Sequence, residues 1–121
     1  MAHTYKDLIV WQKSMKLVKE LYILTRNFPR EEIYGLTSQM RRSAVSIPSN
    51  IAEGRFRGYK KEFKQFLLTA YGSGAELETQ IEIAKNLDET ANLDYSKIDS
   101  LLSEVMKMLN SMINKLSEPR A

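Results

Sequence analysis

The sequence predicts an all-α protein, an antiparallel up-down-up-down four-helix bundle, on three observations. Four stretches carry apolar residues at alternating spacings of three and four, which stacks them along one face of a helix. No stretch shows the strict alternation of a half-buried strand. Glycine (5) and proline (3) are scarce among 121 residues, 43% of them hydrophobic and 27% charged, which excludes a disordered or collagen-like chain. That length suits a single domain, residues 1–121, with a core of its own.

The first segment runs from Tyr5 to about Arg26, with Trp11, Met15, Val18, Tyr22 and Thr25 on one stripe. Thr4 and Asp7 have the spacing of a capping box at its start, and Phe28-Pro29 ends it, because a residue before proline is driven from helical dihedrals. Trp11 reads as a core anchor. The second segment, about Leu36 to Glu53, stacks Leu36, Met40, Ala44, Ile47 and Ile51, with Gly54 placed to close it. The third, about Tyr59 to Leu87, holds the most regular pattern: Phe63, Leu67, Ala70, Gly74, Leu77, Ile81 and Ala84. Within it "AYGSGAEL" matches no phosphate-cradling motif, so Gly74 reads as the point where a neighbouring helix comes close. The fourth follows the polar stretch DETANLD, with Ser96 and Asp99 as a capping box and Ile98, Leu102, Val105, Leu109, Met112 and Leu116 as its stripe. Short connections favour antiparallel neighbours around one shared core.

Several apolar residues fall off these stripes. Leu17, Leu21 and Leu24 lie about a quarter turn or more from the Trp11 stripe at ~100° per residue, and Val45, Ala52, Leu68 and Ile83 also leave theirs. A surplus of this kind is expected where subunits meet, so the chain reads as a protomer of a homo-oligomer. Pro48 cannot donate to the carbonyl of Ala44 and is expected to kink or open the second helix, while Ser43, Ser46 and Ser49 are small enough to admit another helix and can bond the loosened carbonyls. Arg41 and Arg42 are expected to clamp carboxylates such as Glu53, Glu76 or Glu78 between helices or subunits. The expected subunit contact therefore comprises Leu17, Leu21, Leu24, Arg41, Arg42, Val45, Pro48 and Ala52.

The chemistry available is narrow. The single histidine, His3, precedes the first helix, which argues against a di-metal bundle, a Ser-His-Asp site or a histidine zinc site. No catalytic, cofactor or metal residue is assigned, and the chain reads as a non-enzyme. Zero cysteines exclude disulfides and fit a reducing compartment. The opening MAHTYKDLIVWQKSMKL carries charges every few residues, unlike a signal peptide or membrane span, so a cytoplasmic protein is expected.

Charge is the feature that hints at a partner. Residues 1–64 carry 13 Lys/Arg against 6 Asp/Glu, net +7, whereas residues 65–121 carry 5 against 9, net −4. Arg55, Arg57, Lys60, Lys61 and Lys64 cluster at the second connection, interleaved with Phe56 and Tyr59, and Lys13 and Lys16 share an outer face of the first helix. Basic residues flanking aromatics suit the gripping of phosphates and the stacking of a base, so these seven are the candidate nucleic-acid residues, RNA and DNA alike. A protein-interaction scaffold without nucleic acid is the alternative, its basic surface being an ordinary solvated face.

"DLIVWQKSMKLV", "FPREEIYGLTSQMRRSAVSIPSNIAEG" and "EFKQFLLTAYGSGAELETQ", with the closing amphipathic helix, resemble the 23S rRNA intervening-sequence protein family, also called four-helix-bundle proteins. The order and spacing of Trp-Gln, Gly-Leu-Thr-x-Gln-x-Arg-Arg, Ser-Ile-Pro-x-Asn-Ile-Ala-Glu-Gly and Gly-Ser-x-x-Glu-Leu carry the resemblance over nearly the whole chain. It implies an antiparallel bundle assembling as a homopentamer. Relatives implied by it include the accessory protein of diversity-generating retroelements, a basic barrel-shaped pentamer that binds nucleic acid and its reverse transcriptase. The family name establishes no molecular activity, and no catalytic residue is carried over.

Overall fold

The computed structural model describes residues 4–119, so His3 lies outside the described residues. Four helices make up the fold: α1 (Ile9–Thr25), α2 (Leu36–Arg57), α3 (Lys60–Lys85) and α4 (Ser96–Ser117), with short 3-10 turns at Tyr5–Asp7 and Arg30–Glu32. α1 and α3 each pack on both α2 and α4, which closes a four-helix bundle. Contacts between helices fix the directions. Lys97 at the start of α4 reaches Glu20 near the end of α1 (3.5 Å), and Lys85 at the end of α3 holds Asp99 in the first turn of α4 (2.7 Å). Ser46 and Ser73, midway along α2 and α3, share a hydrogen bond of 2.8 Å. Neighbouring helices are therefore antiparallel.

The stripes of α2, α3 and α4 face the core as their periodicity predicts. Met40, Ala44, Ile47 and Ile51 of α2, Leu67, Ala70, Leu77 and Ile81 of α3, and Ile98, Leu102, Val105 and Leu109 of α4 are all buried. α1 differs. Its buried residues are Val10, Ser14, Leu17, Leu21, Leu24 and Thr25, whereas Met15 and Tyr22 are exposed and Trp11 is half-buried, packed edge-on against Tyr5 with ring centroids 5.4 Å apart. Leu17 and Leu21, both 0% exposed, and Leu24 belong to the core of the protomer and leave no surface for a subunit contact. Two stripes one residue apart run along α1, and Ser14 makes the buried one look interrupted. Its hydroxyl donates to the carbonyl of Trp11 (2.8 Å), so the core holds a satisfied polar group there.

Glycines decide how closely the helices approach. α2 does not close at Gly54 but continues to Arg57, and Gly58 closes it in the left-handed region (φ 81°). Gly54 instead sits against α3, where an added Cβ would stand 2.6 Å from the Cβ of Phe66. Gly74 plays the expected part, with Met106 of α4 lying where its side chain would be.

α2 stays helical from Leu36 to Arg57 straight through Pro48, so the expected opening does not occur. Side chains bond the backbone there: the Ser49 hydroxyl donates to Val45 O (2.8 Å) and the Asn50 amide to Ser46 O (2.8 Å). Pro48 is itself buried, so it too is unavailable to a neighbouring subunit. The helix that the small serines admit is α3 of the same chain.

The capping box at Thr4 and Asp7 is present, although it heads the 3-10 turn, and α1 begins only at Ile9. At α4 the expected box is replaced. The Asp94 carboxylate accepts from the Ser96 hydroxyl (2.7 Å) and amide (3.0 Å), bonds that favour its charged form and hold its pKa below the usual carboxylate value. Asp99 turns away to Lys85, and the hydrogen bond between them raises the lysine above its ordinary value.

Candidate nucleic-acid interface

The corner where α2 meets α3 gathers most of the predicted nucleic-acid residues. Only Gly58 and Tyr59 separate the two helices, so Arg55 and Arg57 lie in the last turn of α2 and Lys60, Lys61 and Lys64 in the first turns of α3. The residues expected between helices are thus helical themselves. A turn this short leaves little room for side chains inside it, and two aromatics point outward: Phe56 is 84% exposed and Tyr59 70%. Both rings stand beside the cations of the corner.

The cations at this corner are not equivalent. Arg57 spans from α2 to α3, bonding Glu53 (3.1 Å) and Glu62 (3.3 Å) with its guanidinium over the Phe66 ring (5.2 Å to the centroid). Its hydrogen bond to Glu53, then that to Glu62, raise its already high value. Arg57 is a strut between helices. Among the described residues Arg55, Lys60, Lys61 and Lys64 form no ion pair, and the buried Arg55 Nε has no hydrogen-bond partner at all. Tyr59, at the N-cap of α3, supplies no side-chain acceptor, so the amides of that first turn add positive potential at the same place. Lys13 and Lys16 lie on α1, apart from this cluster in the chain; Lys13 pairs with Glu104 of α4 (3.3 Å), while Lys16 is exposed.

A concavity of about 870 Å³ opens at the other end of the bundle, between the end of α1, the connector 26–35 and the start of α2. Tyr22, Ile33, Tyr34 and Val45 give it an apolar and aromatic lining, Tyr34 being 97% exposed, and Arg26, Arg30, Arg41 and Arg42 also line it. Arg41 does not clamp a carboxylate. Its Nε donates to the Thr25 hydroxyl (2.9 Å), another guanidinium nitrogen donates to Tyr22 O (3.4 Å), and the group lies over the Tyr22 ring at 4.4 Å. A cation thereby satisfies a carbonyl in the last turn of α1, where the helix dipole favours positive charge. Arg42 forms no ion pair among the described residues, so within the protomer neither arginine makes the expected pairing with Glu53, Glu76 or Glu78. Of the predicted subunit-contact residues, Val45 and Arg42 are exposed and Ala52 is half-buried. The groove itself went unread in the sequence, where its one signal is the pair Ile33-Tyr34 inside an otherwise polar connector.

Among the described residues no group of three His, Asp or Glu is placed to hold a metal ion, and no helix is long and apolar enough to cross a membrane. Residues 6–111 match the 23S rRNA-intervening sequence protein family. The chain belongs to that family. The fold is similar to the crystal structure of a protein with unknown function from the S23 ribosomal protein family from Bacteroides thetaiotaomicron VPI-5482. The TM-score is 0.71 at 24% identity, over 87% of this chain and 98% of that one. No curated protein sequence matches this 23S rRNA-intervening sequence protein family member.

Proposed function

We infer that this protein is a non-enzymatic homo-oligomeric bundle that holds nucleic acid on the α2–α3 corner, which assembly repeats around the oligomer. One observation carries the reading: Phe56 and Tyr59 stand exposed among Arg55, Lys60, Lys61 and Lys64, four cations without ion-pair partners among the described residues. Lysines on a convex corner neutralise phosphates without demanding a base sequence, and exposed rings add stacking. Assembly is supported by Val45, Leu68 and Ile83, exposed apolar residues of α2 and α3, and by the small residues Gly72 and Ala75 beside them on α3.

Binding of labelled RNA and DNA oligonucleotides, followed by fluorescence anisotropy at rising salt, tests the reading. Affinity is expected to fall with a log-log slope of about −0.7 for each phosphate neutralised on a single strand. Light scattering tests the assembly, and a monomer at micromolar concentration would remove it. Should no oligonucleotide bind at low salt, a protein-interaction scaffold becomes the better reading. The arginine- and tyrosine-lined groove favours that second reading, because these residue types dominate the energetic centres of protein interfaces.

A further inference from the structure

Beside the exposed lysines lies a small recess of about 270 Å³, lined by Gly54, Arg55, Gly58, Tyr59, Lys60, Phe63 and Leu116. Its volume falls just short of the range typical of drug-sized ligands, which suits one planar ring system and no more. Tyr59 and Phe63 supply aromatic surface, Leu116 of α4 an aliphatic one, and Gly58 presents no side chain to fill the space. The charged groups around it are both cationic donors. Arg55 and Lys60 line it free of any ion pair among the described residues, and no carboxylate lines the recess.

We propose that this recess takes one unpaired nucleobase of a single strand whose flanking phosphates lie on Lys60, Lys61 and Lys64. The proposal rests on the nucleic-acid reading above and narrows it to single strands. A flat heterocycle presents π-faces to Tyr59 and Phe63 and an acceptor to Arg55, and every base has both features, so little sequence preference is expected. The anionic chain on either side meets the lysines. In a duplex the bases are stacked and paired, and one enters such a recess only at the expense of unpairing.

The test uses the full chain with a short oligothymidylate carrying one central 2-aminopurine, both free and annealed to its complement, at one low salt concentration. The single strand is expected to bind about tenfold more tightly than the duplex, with a change in 2-aminopurine fluorescence as the base leaves its neighbours. Tyr59→Ala is expected to weaken the single strand about tenfold and leave the duplex unchanged, whereas Lys61→Ala with Lys64→Ala weakens both alike. Leu116→Phe, which fills the recess from α4, should abolish the fluorescence change, and its melting profile separates this from misfolding. Equal affinity for both forms, with Tyr59→Ala acting on each alike, would overturn the base pocket and leave the basic corner standing. If neither form binds, pocket and corner fall together.

Discussion

Where α2 passes to α3, two residues, Gly58 and Tyr59, complete the turn; where α1 passes to α2, ten are used, 26–35. The short turn brings two helices together at Gly54 and forces Phe56 and Tyr59 outward, giving a convex corner with lysines around its rings. The long connector folds back on the bundle, buries Phe28 and leaves a concave groove lined by arginines and tyrosines. Each end also commits one arginine to the fold, Arg57 to Glu53 and Glu62, Arg41 to Thr25 and Tyr22. Counting basic residues does not reveal which cations can reach a ligand. Their partners do, and the partners differ at the two ends.

The largest effect expected from breaking this contrast is on packing. Gly54→Ala drives a methyl group against the Cβ of Phe66, which cannot swing aside, and is expected to destabilise the fold by about 3 kcal/mol. At the groove end Gly35→Ala meets first the tip of the Glu32 side chain (2.9 Å), which can move by giving up its bond from the Leu36 amide (2.9 Å), so only about 1 kcal/mol is expected. Urea melts of the two variants make the comparison, and equal losses would deny that the short turn is the tighter end.

Arg41→Ala is expected to cost about 1.5 kcal/mol, because the Thr25 hydroxyl loses a charged donor and the end of α1 loses its cation. Arg42→Ala, one residue on and without an ion pair among the described residues, is expected to change stability by less than about 0.5 kcal/mol. Thermal melts of the pair would show whether the groove's arginines divide into one structural and one free group.

Reversal of charge sharpens the same division in binding. Lys60, Lys61 and Lys64 changed together to glutamate are expected to weaken oligonucleotide binding at least about tenfold at low salt, whereas Arg26→Glu with Arg30→Glu is expected to alter it by less than about twofold. Anisotropy titrations of both sets under one salt condition decide it, and equal losses would take the site away from the corner. The smallest effect concerns Lys85, whose bond to Asp99 raises it above the ordinary 10.5. A group raised on folding stabilises the folded state below its unfolded value and ceases to do so as pH rises through the folded one. The difference in melting temperature between the wild type and Lys85→Met should therefore be constant near neutrality and shrink only above pH 10.5.

The readable parts of the fold were those with one apolar stripe per helix. Met40, Ile47 and Ile51 of α2 and Leu67, Leu77 and Ile81 of α3 are buried as their spacing demands. On α1 two stripes compete, and Ser14 disguises the right one because its hydrogen bond is made inside its own helix. Gly54 reads as the end of α2 on paper, but the nearness of Phe66 assigns it to packing and Gly58 closes the helix. The basic cluster at the second connection was legible from its density. The groove was not, because Tyr22, Ile33, Tyr34 and Val45 come together only after the connector has folded back.

By itself, the sequence determined the number and order of the helices, the inward faces of α2, α3 and α4, and the site of the basic cluster. Each of these depends on spacing within a single segment, and helical periodicity translates spacing directly into position along one face. The tertiary structure alone decided which way α1 is rotated, which glycine ends α2, and which cations remain free. Rotation about a helix axis is set by the side chains of its neighbours, and a cation is free or bound according to the carboxylates and carbonyls that packing brings to it.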